Sequence, residues 1–141
     1  MCGADVAKIR WLPDYTIGVD QIDQEHRQLF ALAAKLDSAI QSGHEKEVLG
    51  GISEDLVALT GDHFAHEEQL MDAIGYPYAR EHHAQHEEIR QKIQSQVQKV
   101  GEDEHIRSLR LLELLIQWLK CHTTTTDRRL GNYIQKHGLA D

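Results

Sequence analysis

Residues 52–93, ISEDLVALTGDHFAHEEQLMDAIGYPYAREHHAQHEEIRQKI, decide the fold. Before the Gly75-Tyr76-Pro77 break, Ile52, Leu56, Leu59, His63, Glu67, Leu70 and Ile74 recur at helical spacing. After it, His82, His86, Ile89 and Ile93 do the same. A glycine followed by a proline marks a helix exit. The stretch therefore reads as two helices folded back on each other, over roughly Glu45–Ile74 and Tyr78–Val100. Gly50-Gly51 weaken the start of the first by about 1 kcal/mol each relative to alanine.

The same period continues on both sides. Upstream, Ile22, His26, Leu29/Phe30, Ala33, Leu36 and Ile40 form one stripe from Asp20 to Ser42, with Gly43 as a stop. Downstream, a turn with Gly101 and Asp103 leads into Ile106, Leu109, Leu111, Leu115, Trp118 and His122, and on toward Ile134. Four amphipathic segments with short connections predict an all-α, up-down-up-down antiparallel four-helix bundle. The expected organisation is one domain over 1–141: an N-terminal arm, 1–18, with Trp11, Pro13 and Tyr15, and a bundle, 19–136.

Composition narrows the function. At 141 residues, 40% hydrophobic and 27% charged, the chain is long and apolar enough for a real core. A net charge of −8 without a basic cluster argues against nucleic acid. No apolar run nears the ~20 residues of a membrane span, and Met1–Arg10 has no signal-peptide apolar stretch. Two cysteines, Cys2 and Cys121, make no disulfide framework, so a cytoplasmic setting is expected.

Histidine is the outlier, at ten residues. His26, His63, His82, His86 and His122 occupy stripe positions where leucine would be the easy choice, and Glu67 joins them. Side chains four apart share a helix face, so His63/Glu67 and His82/His86 can each aim two donors at one point. Buried without partners, such groups would cost several kcal/mol apiece, and metal cations supply the partners. Asp127 lies five residues past His122, an offset of about 140° where four residues leave about 40°. Both reach one site only if the fourth helix is distorted between them. The run Thr123-Thr124-Thr125-Thr126, β-branched and able to bond back to carbonyls, predicts a π-type bulge there.

Seven inward ligands exceed one tetrahedral zinc, and five imidazoles speak against calcium or magnesium. Iron, zinc, copper and nickel remain. Two metals sharing carboxylates would use all seven and leave a position for a small molecule. The set is richer in histidine than the Glu-x-x-His pattern of carboxylate-bridged bundles. Fewer negative charges on the metals favour binding and release of oxygen over harder oxidation.

These residues resemble the hemerythrin family, in its bacterial single-domain form, over nearly the whole chain. The resemblance rests on Trp11, Gly18-Val19-Asp20-Gln21-Ile22-Asp23-Gln24-Glu25-His26, His63-Phe64 with Glu67-Glu68, Leu70-Met71, His82 with His86, and Trp118-Leu119 with His122 and Asp127. It implies two Fe ions in an oxo- or hydroxo-bridged di-iron centre. His82, His86 and His122 would hold one iron, His26 and His63 the other, and Glu67 and Asp127 both. In the family dioxygen binds at the open position of the two-histidine iron. Thr123 is a departure, because relatives commonly carry an apolar residue there, and faster autoxidation is expected. Phe64, Trp118 and Leu119 are expected to line the pocket with it.

His66 and His83 are expected at the rim, and His44, His105 and His137 in solvent. Cys121 is expected to fill a small space, and Cys2 to sit in the arm. The expected function is a non-enzymatic, reversible dioxygen binder for transport, storage or sensing. An unidentified signalling or oxygen-consuming protein partner would accompany it. The alternatives are a di-iron enzyme that reduces peroxide or nitric oxide or oxidises iron, and a bundle merely stapled by zinc. No output domain of the kind a sensor would use is expected within these 141 residues, unless they are a fragment of a longer signalling protein.

Overall fold

A computed structural model describes residues 11–99, 101 and 103–138. A single 3-10 turn, Pro13–Tyr15, precedes α1 (Asp20–Gln41), α2 (Glu45–Ile74), α3 (Ala79–Val97) and α4 (Glu104–His122). A π-helical turn, Thr123–Asp127, then runs without a break into α5 (Arg128–Lys136). α1 packs against α2 and α4, and α3 packs against the same two. This is the four-helix bundle that the periodicity predicts. None of the described helices is long and apolar enough to cross a membrane.

The connections follow local chemistry. Gly75 ends α2 at φ 65°, a left-handed conformation that a residue without Cβ adopts at little cost, and Tyr76 N–H donates to the Met71 carbonyl at 3.0 Å. At the start of α4 the Asp103 carboxylate accepts from Ile106 N–H at 3.3 Å. The glycine pair does not delay α2, which begins at Glu45. Leu49 and Ile52 are buried there, and tertiary burial outweighs the propensity cost. Ile106 and Leu109, expected on the inner stripe, are exposed at 42% and 43%. The buried face of α4 runs instead through Ser108, Leu111, Leu112, Leu115, Ile116 and Leu119. Val100, expected to close the third helix, lies outside the described residues, as does Cys2.

Two apolar clusters result. The larger takes Leu29, Phe30, Leu36, Leu56, Phe64, Ile93, Leu111, Leu115 and neighbours from all four long helices, with Tyr15 of the arm. The smaller joins Ile17 of the arm and Val19, the residue that caps α1, to Ile22, Met71, Tyr76, Leu130 and Ile134. Residues from Trp11 on pack against the bundle, Met1–Arg10 of the expected arm lying outside the described residues, and the helical turn follows Pro13, whose fixed φ suits a first helical position. Trp11 meets Phe30 edge-on at 5.6 Å, and Tyr15 stacks on Phe30 at 4.8 Å. The buried Asp23 carboxylate accepts from the backbone N–H of Ile17 at 2.8 Å and of Gly18 at 3.2 Å. Gly131 of α5 lies so close beneath the arm that a Cβ there would stand 2.3 Å from the Ile17 carbonyl oxygen.

Candidate metal centre

Between the two clusters every long helix presents polar side chains inward. His26 comes from α1, His63 and Glu67 from α2, His82 and His86 from α3, and His122 from the last residue of α4. All are nearly inaccessible, His122 being the most exposed at 6%. Asp127, fully buried, comes from the end of the π turn. The turn forms where the threonine run predicts it. Thr124 and Thr125 donate their hydroxyls to the carbonyls of Lys120 and Cys121, at 2.5 and 2.6 Å. These bonds compete for carbonyls that a regular helix would use, and the wider turn brings the fifth residue back onto the face of His122.

The donor atoms fall into two groups that share both carboxylates. One is Glu67, His82, His86, His122 and Asp127. The other is His26, His63, Glu67 and Asp127. Asp127 divides its oxygens between them: Oδ2 lies 2.8 Å from His26 Nε2, and Oδ1 lies 2.9 Å from the Nε2 atoms of both His82 and His122. Glu67 Oε1 stands 2.8 Å from His86 Nε2, 3.2 Å from His82 Nε2 and 3.7 Å from His63 Nε2. His26 and His63 bring their Nε2 atoms to 3.1 Å of each other.

Several of these atoms are close without being bonded. Glu67 Oε2, both Asp127 oxygens and His122 Nε2 are buried and have no hydrogen-bond partner of acceptable geometry. Donors and acceptors less than 3 Å apart that do not point at each other converge on shared points, and that arrangement suits cations held between them. Without cations, protons carry the balance. Burial and the Asp127 charge push the Glu67 pKa up, but His63, His82 and His86 outweigh them and hold it at about 2. Burial lowers the His82 pKa, while Asp127 and Glu67 raise it to about 10. Asp127, despite its burial, is held well below the usual carboxylate range, chiefly by His122.

Three acidic residues escaped the periodicity argument. Asp23 anchors the arm. Glu25 accepts from His63 Nδ1–H at 2.8 Å and also meets His66 Nδ1. Glu68 accepts from His86 Nδ1–H at 2.9 Å and lies 2.9 Å from His83 Nδ1. Their sequence signals were adjacency, Glu25 to His26 and Glu68 to Glu67, and their place in the motifs that carry the family resemblance. His66 and His83 stand at the rim as expected, each tied to one of these carboxylates. His105, expected in solvent, meets Glu45 at 3.0 Å.

Of the four expected pocket residues, Phe64 stacks on His86 at 4.1 Å, and Trp118 lies 6.3 Å from His122. Leu119 and Thr123 are buried. A groove of about 680 Å³, lined by Leu49, Ser53, Val57 and Arg107 among others, lies toward the far end of α2 and includes none of the seven.

Fold and site together define a helical-bundle protein built to hold metal ions in a buried, histidine-rich layer. The chain belongs to the hemerythrin family: the model of the hemerythrin HHE cation binding domain matches residues 17–134. It is 30% identical to a bacteriohemerythrin of Stenotrophomonas maltophilia over 132 residues, covering 94% of this chain and 85% of that one. It is 27% identical to one of Clostridium acetobutylicum, covering 84% and 95%, and 30% identical to one of Pseudomonas aeruginosa, covering 86% and 78%.

Proposed function

We propose that this protein binds dioxygen reversibly at a non-haem di-iron centre, in the cytoplasm, for transport, storage or sensing, with the whole chain acting as one domain. The observation that carries the reading is the unequal sharing of donors. Three imidazoles and two carboxylates converge on one point, and two imidazoles with the same two carboxylates converge on the other.

His82, His86 and His122 would hold one iron in this reading and His26 and His63 the other, with Glu67 and Asp127 serving both. Two iron ions, when bound, supply the electrons that dioxygen binding requires. The chain's own work is positional. Glu25 and Glu68 accept hydrogen bonds from Nδ1–H of His63 and His86, which fixes the tautomer and leaves each Nε2 lone pair facing inward. With one imidazole fewer, the His26/His63 side would leave room for a small molecule. The apolar clusters above and below exclude water, and so protect a reduced centre from side reactions.

The test is an iron assay with an optical spectrum of protein reduced without air and then oxygenated. Two irons per chain and a visible charge-transfer band that disappears on deoxygenation are expected. A colourless protein holding only zinc would overturn the reading. Steady consumption of peroxide or nitric oxide, or continuing oxidation of added iron, would make it an enzyme.

A further inference from the structure

The seven inward residues are nearly inaccessible, yet ions have to reach them. We propose that two carboxylate–imidazole pairs at the surface, Glu25–His66 and Glu68–His83, are intake sites for divalent metal ions, each serving one half of the inner layer. This rests on reading the seven as ligands of two metals.

In each pair one carboxylate joins an inner imidazole to an outer one. Glu25 holds His63 through Oε1 and His66 through Oε2, with side chains 15% exposed for Glu25 and 41% for His66. Glu68 Oε2 lies 2.9 Å from both His86 Nδ1 and His83 Nδ1, with Glu68 28% and His83 54% exposed. Imidazole with carboxylate is a donor pair for iron and its neighbours. Two donors bind weakly enough to let an ion move on. The two pairs also lead to different places. His63 belongs to the His26 group, and His86 to the group of His82 and His122.

The Glu68–His83 pair opens on a pocket of about 350 Å³ that Asp72 and Arg80 also line, and two other crevices touch the layer. A crevice of about 170 Å³ reaches His82, but the Arg129 guanidinium stands there, 3.5 Å over the Tyr78 ring and 3.8 Å from Glu81. A second, of about 380 Å³, reaches His122, and its Glu88 is already paired with Lys92 at 3.1 Å. The histidine that lines each, His82 in one and His122 in the other, is buried.

Metal-free protein mixed anaerobically with Co²⁺ provides the test, since ligand-field absorption grows as imidazoles coordinate. Wild type is expected to take up two Co²⁺ per chain. His66→Ala and His83→Ala should each slow about half of the absorbance change. The double variant should slow all of it roughly tenfold, the lower end of what losing an outer partner of a metal site costs. The final two Co²⁺ and the helical circular dichroism should not change. Filling at the wild-type rate in the double variant would overturn the proposal. So would equal slowing by His44→Ala, which removes an exposed histidine remote from both pairs. Wild type that binds fewer than two Co²⁺ would instead sink the parent reading, and this one with it.

Discussion

The two apolar clusters beside the metal layer are built differently. On the Phe64 side, residues such as Leu29, Leu56, Leu115 and Ile116 come from long helices that cross the whole molecule. On the Met71 side, the cluster consists of an arm, the ends of α1 and α2, and the short α5. That second cluster is held by Asp23 under the Ile17 and Gly18 amides and by the close fit of Gly131 against Ile17. Helices that share a large core open only when the bundle unfolds, whereas an arm and a short helix open at lower cost. The difference assigns stability chiefly to one cluster and enclosure of the site to the other.

Matched truncations test that division most strongly. Leu115→Ala and Leu130→Ala each remove a fully buried side chain. Leu115→Ala should lower the unfolding free energy by about 2–5 kcal/mol in denaturant titrations. Leu130→Ala should cost less globally but lose metal to a chelator faster. The reverse ranking of chelation rates would break the comparison. Next is Gly131→Ala, whose Cβ meets the Ile17 carbonyl and must displace the arm. A cost of about 1–3 kcal/mol is expected, with faster hydrogen exchange at the Ile17 and Gly18 amides, and unchanged exchange there would refute the latch.

The layer between the clusters is sensitive to pH in the metal-free protein. His82, raised to about 10, contributes stability that is full below its ordinary pKa of about 6.5 and lost as pH climbs through 10. Glu67, held at about 2, contributes stability that is full above about 4.3 and lost as pH falls through 2. At neutral pH an incoming metal must therefore displace the His82 proton. Metal affinity should rise by about 1.4 kcal/mol per pH unit for each proton displaced, and an indicator dye should register the released protons. Pairing that leaves dye and affinity unmoved by pH would refute that charge state. The smallest effect is expected from Thr123→Ile, which adds bulk at a buried position and should fall at the low end of the about 1–3 kcal/mol that overpacking costs. It should lengthen the life of the oxygenated form, and an unchanged lifetime would clear Thr123 of any part in autoxidation.

Much of the fold and six of the seven inward residues could be read from a period of 3.6, because a histidine in a leucine position is conspicuous by itself. Asp127 needed the threonine run, since its phase agrees with His122 only across a π turn. Glu25 and Glu68 were illegible for another reason. An acidic residue at the edge of a helix stripe resembles any solvated glutamate, and its role appears only when a neighbouring helix brings His63 or His86 beside it. The latch at Gly131 was hidden likewise, because its partner Ile17 is more than a hundred residues away in the chain.

The π turn adds one residue of phase to the last helix, and everything beyond it inherits that rotation. Removing a single threonine from the run would turn Asp127 by about 100°. Leu130, Gly131 and Ile134 would turn with it, away from the arm. The ligand and the latch are thus set by the same count of residues. Substitutions within Thr124–Thr126 alter local bonds, whereas a one-residue deletion shifts the reading frame of the helix itself, and site and enclosure would be lost together.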